Sequence, residues 1–374
     1  MYINRLTLIH FRNYREAHLE PHPELNVIFG ANAQGKSNLL EALFLFTTGK
    51  SFRAGKEIEL VNWEEHFSRV AAEITCIHGE KIHIEVLISK NSPKSSSKII
   101  RVNNKTVRTA TELVGTVNAV MFSPDDLEII KGSPGVRRRF IDMELTQLSP
   151  SYCDNLRHYY KVLEQRNTLL KSALDKEEKN RLLQVWDEQL ARYGSFLISS
   201  RIEIIKKLQE LATNILGDIS NNREKLSLNY FSTIDEYNSI SVEENFLNHL
   251  LAQRSQDIRY GSTSSGPHRD DIKITVNEKP LKAFGSQGQQ RTVTIALKLA
   301  ERELLFNETG EHPVVLLDDV MSELDNDRSF NLLNYIKGKG QIFITLNHNT
   351  DYFASKEASF FQIKEGKITV GLFN

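Results

Sequence analysis

The chain has 374 residues, 40% of them hydrophobic, with 47 basic and 48 acidic side chains and a formal net charge of −1. That is enough apolar material to bury a sizeable core in two domains, or in one domain with a large insertion, and it excludes an extensively disordered chain. The charge balance gives no overall argument for or against nucleic acid, so a binding face has to come from local clustering or from dimerisation.

Met1 to His10 alternates polar and apolar residues as a strand does, and it lacks the long apolar stretch of a signal peptide. No segment reaches transmembrane length without charge, so no membrane role is expected and the cytoplasm is the expected location. Cys76 and Cys153 are far apart and have no metal-ligand spacing, which fits a reducing compartment and excludes a disulfide framework.

Strands are predicted over Ile3 to Phe11, Leu25 to Phe29, Val70 to His78 and Lys81 to Ile88, around a helix beginning near Lys36, with a hairpin turn centred on Gly79. The polar stretch Asn91 to Lys98 predicts a mobile turn between two strands. Its Lys94 and Lys98 are read as solvated in preference to touching a phosphate backbone. Residues 136–217 are rich in Leu, Lys, Glu, Gln and Arg and nearly free of proline and glycine, which predicts helices, with breaks or turns at Gly194 and Asp175 to Lys179. Leu163, Leu169, Leu170, Leu182, Leu183, Trp186 and Leu190 mark apolar faces without a sustained heptad, so the arm reads as a compact lobe and not a rod. After a mixed segment around 218–250 come a strand at Ile272 to Val276, a helix at Thr292 to Phe306, an apolar strand from Val314 and a last strand at Gln341 to Leu346.

Gly30-Ala31-Asn32-Ala33-Gln34-Gly35-Lys36-Ser37 matches the phosphate-loop pattern GxxxxGK[ST], and it lies between a strand and a helix as that motif requires. Its glycines let backbone N–H groups face a β-phosphate, Lys36 reaches the β- and γ-phosphates, and Ser37 suits magnesium. Asn32 within the loop and Asn38 just after it are further candidates for binding the nucleotide. Val314 to Asp319 ends an apolar strand in two carboxylates: Asp318 suits the metal and Asp319 can orient and deprotonate an attacking water. Gly285 to Arg291 opens the Thr292 helix. There Ser286 reads as a second phosphate-binding end, for a partner's nucleotide, and also as an N-cap with Gln289 completing a capping box, two compatible readings.

Together with Ser322-Glu323-Leu324-Asp325, these elements resemble the ABC-type ATPase heads of SMC-like DNA-repair proteins. Further stretches bring the resemblance closer, to the RecF family: Phe11 to Arg15, Gly49 to Arg53, Phe122 to Leu127, Gly132 to Asp142, Ser265 to Asp271 and Ser286 to Arg291. The resemblance implies an α/β fold: a two-lobed ABC-type P-loop head over 1–135 and 255–374, interrupted by a compact helical lobe over 136–254, with no long coiled coil. It implies ATP and Mg2+ as cofactors and an ATP-dependent homodimer. In that dimer Lys36 and Ser37 of one subunit, and Ser286 and Gly288 with Gln289 of the other, enclose each nucleotide. Arg12 and Asn13 would contact the base or ribose, Asp319 would support slow hydrolysis, and Asp325 would signal across the interface. A helper for the γ-phosphate is left open between His348 and Asn347.

Arg137-Arg138-Arg139 is the sharpest basic cluster. It suits bidentate contact with DNA phosphates, or ion pairs with internal carboxylates such as Asp142 or Glu144. His268 to Asp271 lacks a regular ligand spacing and reads as a hydrogen-bonded strand entrance, which disfavours a nuclease centre. No groove-reading module is evident, so backbone and shape recognition is expected. The resemblance further implies double-stranded DNA near single-strand junctions as target, at the nucleoid, with RecR-like and RecO-like mediator proteins as partners in loading recombinase. The alternatives are an SMC-like ATPase coupled to a nuclease and a nucleotide-locked scaffold that does not hydrolyse.

Overall fold

The computed structural model describes residues 1–76, 79–92, 95–108, 110–220, 223–234, 241–323, 326–347 and 358–371. The chain divides into two compact units, one of Met1–Asp126 with Lys298–Asn374 and one of Leu127–Leu297.

The first unit contains β1 (Tyr2–Phe11), β2 (Tyr14–Leu19), β3 (Leu25–Phe29), α1 (Lys36–Thr48), β4 (Phe67–Thr75), β5 (Lys81–Ser92), β6 (Ser95–Val102), β7 (Lys105–Val107) and β8 (Ala119–Phe122). The second contains α2 (Glu128–Lys131), α3 (Pro134–Leu148), α4 (Pro150–Lys171), α5 (Lys176–Ser220), β9 (Leu226–Phe231), α6 (Val242–Tyr260), β10 (Asp271–Val276), β11 (Lys279–Pro280) and α7 (Leu281–Phe284). Helix α8 (Gln287–Thr309) begins in the second unit and ends in the first, which closes with β12 (Val314–Leu317), α9 (Asn326–Ile336), β13 (Ile342–Leu346), β14 (Ala358–Lys364) and β15 (Lys367–Val370).

In the first unit, an antiparallel sheet runs β2-β1-β4-β5-β6-β7, and a second, mostly parallel sheet runs β15-β14-β3-β13-β12-β8. Every residue of β12 and β13 is buried, as expected for central parallel strands covered on both faces. The order places β13 between β3 and β12, so the carboxyl ends of β3 and β12 open on the same edge of the sheet. The buried Gln341 side chain joins the two sheets. It accepts from the Ile3 N–H at 2.7 Å and donates to the carbonyls of Ile3 and His22 at 3.0 and 2.9 Å.

The predicted turn at Asn91 to Lys98 is largely strand, because β5 runs to Ser92 and β6 starts at Ser95. Lys98 is not a solvated loop lysine: its ammonium donates to the Gly49 carbonyl at 2.8 Å and pairs with Glu57. Lys94 lies outside the described residues.

In the second unit, α4, α5 and α6 pack around buried charge. Arg166 of α4, with 0% of its surface exposed, donates to Asp187 of α5 and to Asp257 of α6, both at 2.7 Å, and Arg254 of α6 adds a 2.6 Å bond to Asp187. Two arginines and two aspartates neutralise one another where a single unpaired ion would be costly. Residues 136–254 all fall inside this unit, which continues through β10 because that strand pairs with β9.

Asp175 does mark a helix start, accepting from the Glu178 N–H at 2.9 Å. Gly194 does not break the arm: it sits inside the 45-residue α5, about 67 Å long at the usual helical rise. A Cβ there would meet Phe246 at 2.4 Å and Tyr159 at 3.0 Å, so glycine serves close packing and not a turn. Gly194→Ala gains roughly 1 kcal/mol of helix propensity but incurs overpacking of about 1–3 kcal/mol. A lowered urea midpoint is expected, and a raised one would show that Phe246 moves aside freely.

Candidate nucleotide site

The phosphate loop leaves β3 through two residues whose backbone demands glycine. Gly30 has φ 155°, and a Cβ there would sit 2.3 Å from the Ile363 carbonyl oxygen; Gly35 has φ 119°, and a Cβ there would meet the Asn13 amide at 2.7 Å. Neighbouring groups fix the loop from outside. The Tyr14 hydroxyl donates to the Gly35 carbonyl at 2.9 Å, Asn13 donates to the Gln34 carbonyl at 2.7 Å, Asn38 donates to Asn13 at 2.9 Å, and the Glu365 N–H donates to the Gln34 side chain at 2.6 Å. Helix α1 then starts at Lys36 with no carboxylate of its own in its first turn, so its N-terminal end suits an anion.

Lys36 donates to the carbonyls of Gly30 and Ala31, at 2.7 and 3.0 Å, and to Asn347 Oδ1 at 3.1 Å. Burial pulls its pKa below the ordinary lysine value, while Asp319 and Asp318 oppose that shift. Ser37 donates its hydroxyl to Asp318 Oδ1 at 2.8 Å, across 281 residues of sequence. Thr345 completes the group, donating to Asp318 at 3.0 Å and accepting from the Asp319 N–H at 2.8 Å. Asp319 has φ 52°, an uncommon conformation for a non-glycine residue, and its carboxylate is 3.5 Å from the Asn347 amide. Lys36, Ser37, Asp318, Asp319 and Asn347, with Asn32, Ala33, Gly35, Asn38 and Arg53, line a cleft of about 300 Å³, and Thr345 lies buried behind it. A strand-end carboxylate, a serine hydroxyl, a lysine and a glycine-rich helix start converging on one cleft can hold a polyphosphate and a hard divalent cation.

The family described as RecF/RecN/SMC N terminal domain matches residues 2–369. The DNA replication and repair protein RecF of Shouchella clausii is 40% identical over 374 residues, covering 98% of this chain and 99% of that protein. Its counterpart in Natranaerobius thermophilus is 41% identical over 379 residues, with coverages of 98% and 97%. The chain belongs to the RecF family. The solved structure of the recombination mediator protein RecF-ATP in the RecFOR pathway superposes on it with a TM-score of 0.90, at 36% identity over 99% of this chain and 98% of that one. A Smc head bound to the C-winged helix domain of ScpA, at 18% identity and a TM-score of 0.54, shares the fold alone. The fold is thus the SMC-like ABC-type ATPase head with an inserted helical domain.

In this RecF-family chain the remaining predicted residues fall in several places. Arg12 is committed to the buried Glu41, with bonds of 2.9 and 2.8 Å, and to the Glu59 carbonyl at 2.9 Å, while Asn13 buttresses the phosphate loop. Ser286, Gly288 and Gln289 belong to the second unit. There the reciprocal capping box forms: the Ser286 N–H donates to Gln289 Oε1 at 2.9 Å, and the Gln289 N–H donates to Ser286 Oγ at 3.2 Å.

Arg137 is 7% exposed and pairs in bidentate fashion with Asp271, at 2.7 and 3.0 Å, and not with Asp142 or Glu144. Arg138 donates to the Asp270 carbonyl at 2.6 Å, and Arg139 is exposed. His268 is held by Tyr159 at 2.7 Å and the Thr263 carbonyl at 3.2 Å, and burial lowers its pKa to about 4. His348 and Asp325 lie outside the described residues. Sequence reasoning missed Arg53 and Thr345 as site residues. Arg53 stands in the Gly49 to Arg53 stretch that carried the family resemblance, whereas Thr345 inside an apolar strand gives no signal of its own.

Burial raises the Asp318 pKa above the ordinary carboxylate value, against the lowering effect of the Ser37 and Thr345 hydrogen bonds and the Arg53 charge. A carboxyl raised in the fold adds stability below its unfolded pKa and loses that contribution as pH rises through the folded value. Asp318→Asn should therefore melt above the parent at neutral pH without nucleotide, with the gap closing on acidification. Calorimetry across that pH range reads this directly, and equal melting at neutral pH would contradict it.

Proposed function

We propose that this RecF-like ATPase of DNA recombination and repair is a nucleotide-gated clamp, in which ATP closes a homodimer on double-stranded DNA near a single-strand junction. The observation that supports it most is the assembly of Lys36, Ser37, Asp318 and Asp319, all from a single unit, around one cleft. Lys36 would exchange its carbonyl partners for β- and γ-phosphate oxygens, and the loop N–H groups would take the β-phosphate. Ser37 and Asp318 present hydroxyl and carboxylate oxygens 2.8 Å apart, a hard-oxygen donor pair that would hold Mg2+. When bound, that ion would neutralise developing charge on the transferred phosphoryl group. Asp319, fixed through its N–H by Thr345, would orient and deprotonate the attacking water. Being one methylene shorter than the glutamate usual in ABC-type heads, it suits slow turnover that resets the clamp.

The capped end at Ser286, with Gly288 and Gln289, is the counterpart we assign to a partner's nucleotide. Arg139 is the member of the basic cluster best placed for DNA, since Arg137 is buried on Asp271. RecR-like and RecO-like proteins are the partners we expect for loading recombinase. For the nuclease alternative, no group of three or more His, Cys, Asp or Glu able to hold a metal occurs among the described residues.

The test is light scattering and junction, duplex and single-strand binding with ATP, ADP or no nucleotide. The parent should dimerise and bind junction DNA with ATP only, and Lys36→Met and Ser286→Arg should remain monomeric; dimerisation unchanged in all of these would sink the proposal. Phosphate release should persist in the parent and fall by at least about a hundredfold in Asp319→Asn, whereas a nucleotide-locked scaffold would release none in either. Arg139→Ala should weaken duplex binding and reduce the salt slope by about 1. Arg137→Ala should lose about 1–3 kcal/mol of stability by leaving the half-buried Asp271 without its partner, which chemical denaturation measures.

A further inference from the structure

We propose that Ser51, itself held by the buried Glu41 carboxylate, is the positioning residue that sets Arg53 against the triphosphate. The proposal rests on the nucleotide-site reading above. Arg53 lines the cleft beside Asn32, Lys36 and Asp318, and its charge acts on the Asp318 carboxylate. Arg53 is exposed, and a planar fork of donors on such a wall suits phosphate oxygens. Arg53 nevertheless sits in an irregular stretch between α1 and β4, where no helix or strand fixes its backbone.

Three contacts do that work instead. Glu41 is fully buried on α1, one turn beyond Ser37; its Oε2 and Oε1 take the Arg12 guanidinium at 2.9 and 2.8 Å, and Oε1 also takes the Ser51 hydroxyl. With its proton committed to Glu41, Ser51 Oγ has lone pairs left, and these accept the N–H groups of Arg53 at 2.9 Å and Ala54 at 2.7 Å. Phe52 packs edge-on against Phe44 of α1, with ring centroids 5.6 Å apart. The hydroxyl therefore links the helix that opens the phosphate site to the backbone that carries Arg53, so both move as one piece.

Titration of the full-length protein with a fluorescent ATP analogue tests this, alongside melting without nucleotide. Ser51→Ala leaves the Arg12–Glu41 pair in place and should melt close to the parent. It should weaken binding about tenfold, as should Arg53→Ala; the double variant should be no weaker than Arg53→Ala alone, and Ser51→Thr should restore affinity. Parent-like binding by Ser51→Ala, or a double variant that loses the product of the two single losses, overturns the positioning role. If Lys36→Met also binds as the parent does, the nucleotide-site reading fails with it; if Lys36→Met loses binding while Ser51→Ala does not, only the role of Ser51 falls. Should Ser51→Ala melt much lower, the comparison of Ser51→Thr with Arg53→Ala decides: a folded Ser51→Thr that binds as weakly as Arg53→Ala overturns the proposal.

Discussion

The parallel pairing of β3 with β13, and of β13 with β12, is the constraint on which the nucleotide site depends. Parallel strands bring their carboxyl ends to one edge, so a loop after β3 and a carboxylate after β12 meet however much chain separates them. The 2.8 Å bond between Ser37 and Asp318 is the local result. Thr345 comes from the strand between and Asn347 directly follows it, and they join the two halves through Lys36 on one side and Asp318 and Asp319 on the other.

The units solve the problem of burial differently. In the first, wholly buried apolar strands form the core of the parallel sheet, with buried polar groups such as Gln341 and Glu41 tying neighbouring elements to it. In the second, long helices enclose Arg166, Asp187 and Asp257, and a second network joins Arg201 to Asp142 and the Pro267 carbonyl. Such networks specify one register of helix against helix, because sliding by a turn would strand a charge.

The phosphate loop, its flanking strand and helix, and the acidic strand were legible because each carries its chemistry in adjacent residues. Gly194 was misread because a glycine in a polar helical stretch looks like punctuation, and only the proximity of Phe246 and Tyr159 reveals it as a packing requirement. The partner of Arg137 was also hidden: nearby Asp142 and Glu144 were the visible candidates, yet β10 delivers Asp271 from 134 residues away. Lys98 repeats the lesson, since a lysine in a serine-rich stretch reads as solvated until Gly49 and Glu57 close on it. Periodicity reports which face is apolar; it does not report which distant polar group completes a pair.

The C-terminal hairpin bears on the order in which the molecule is made. Strand β3 lies between β13 and β14, Gly30 packs against the Ile363 carbonyl, and Gln34 is held by Glu365. A ribosome therefore releases the phosphate loop early, yet the strands that flank it follow about 300 residues later. Until they emerge, β3 has neither neighbour in its sheet and the loop lacks its outer brace, so ATP can serve as a ligand only once β13 and β14 have been made.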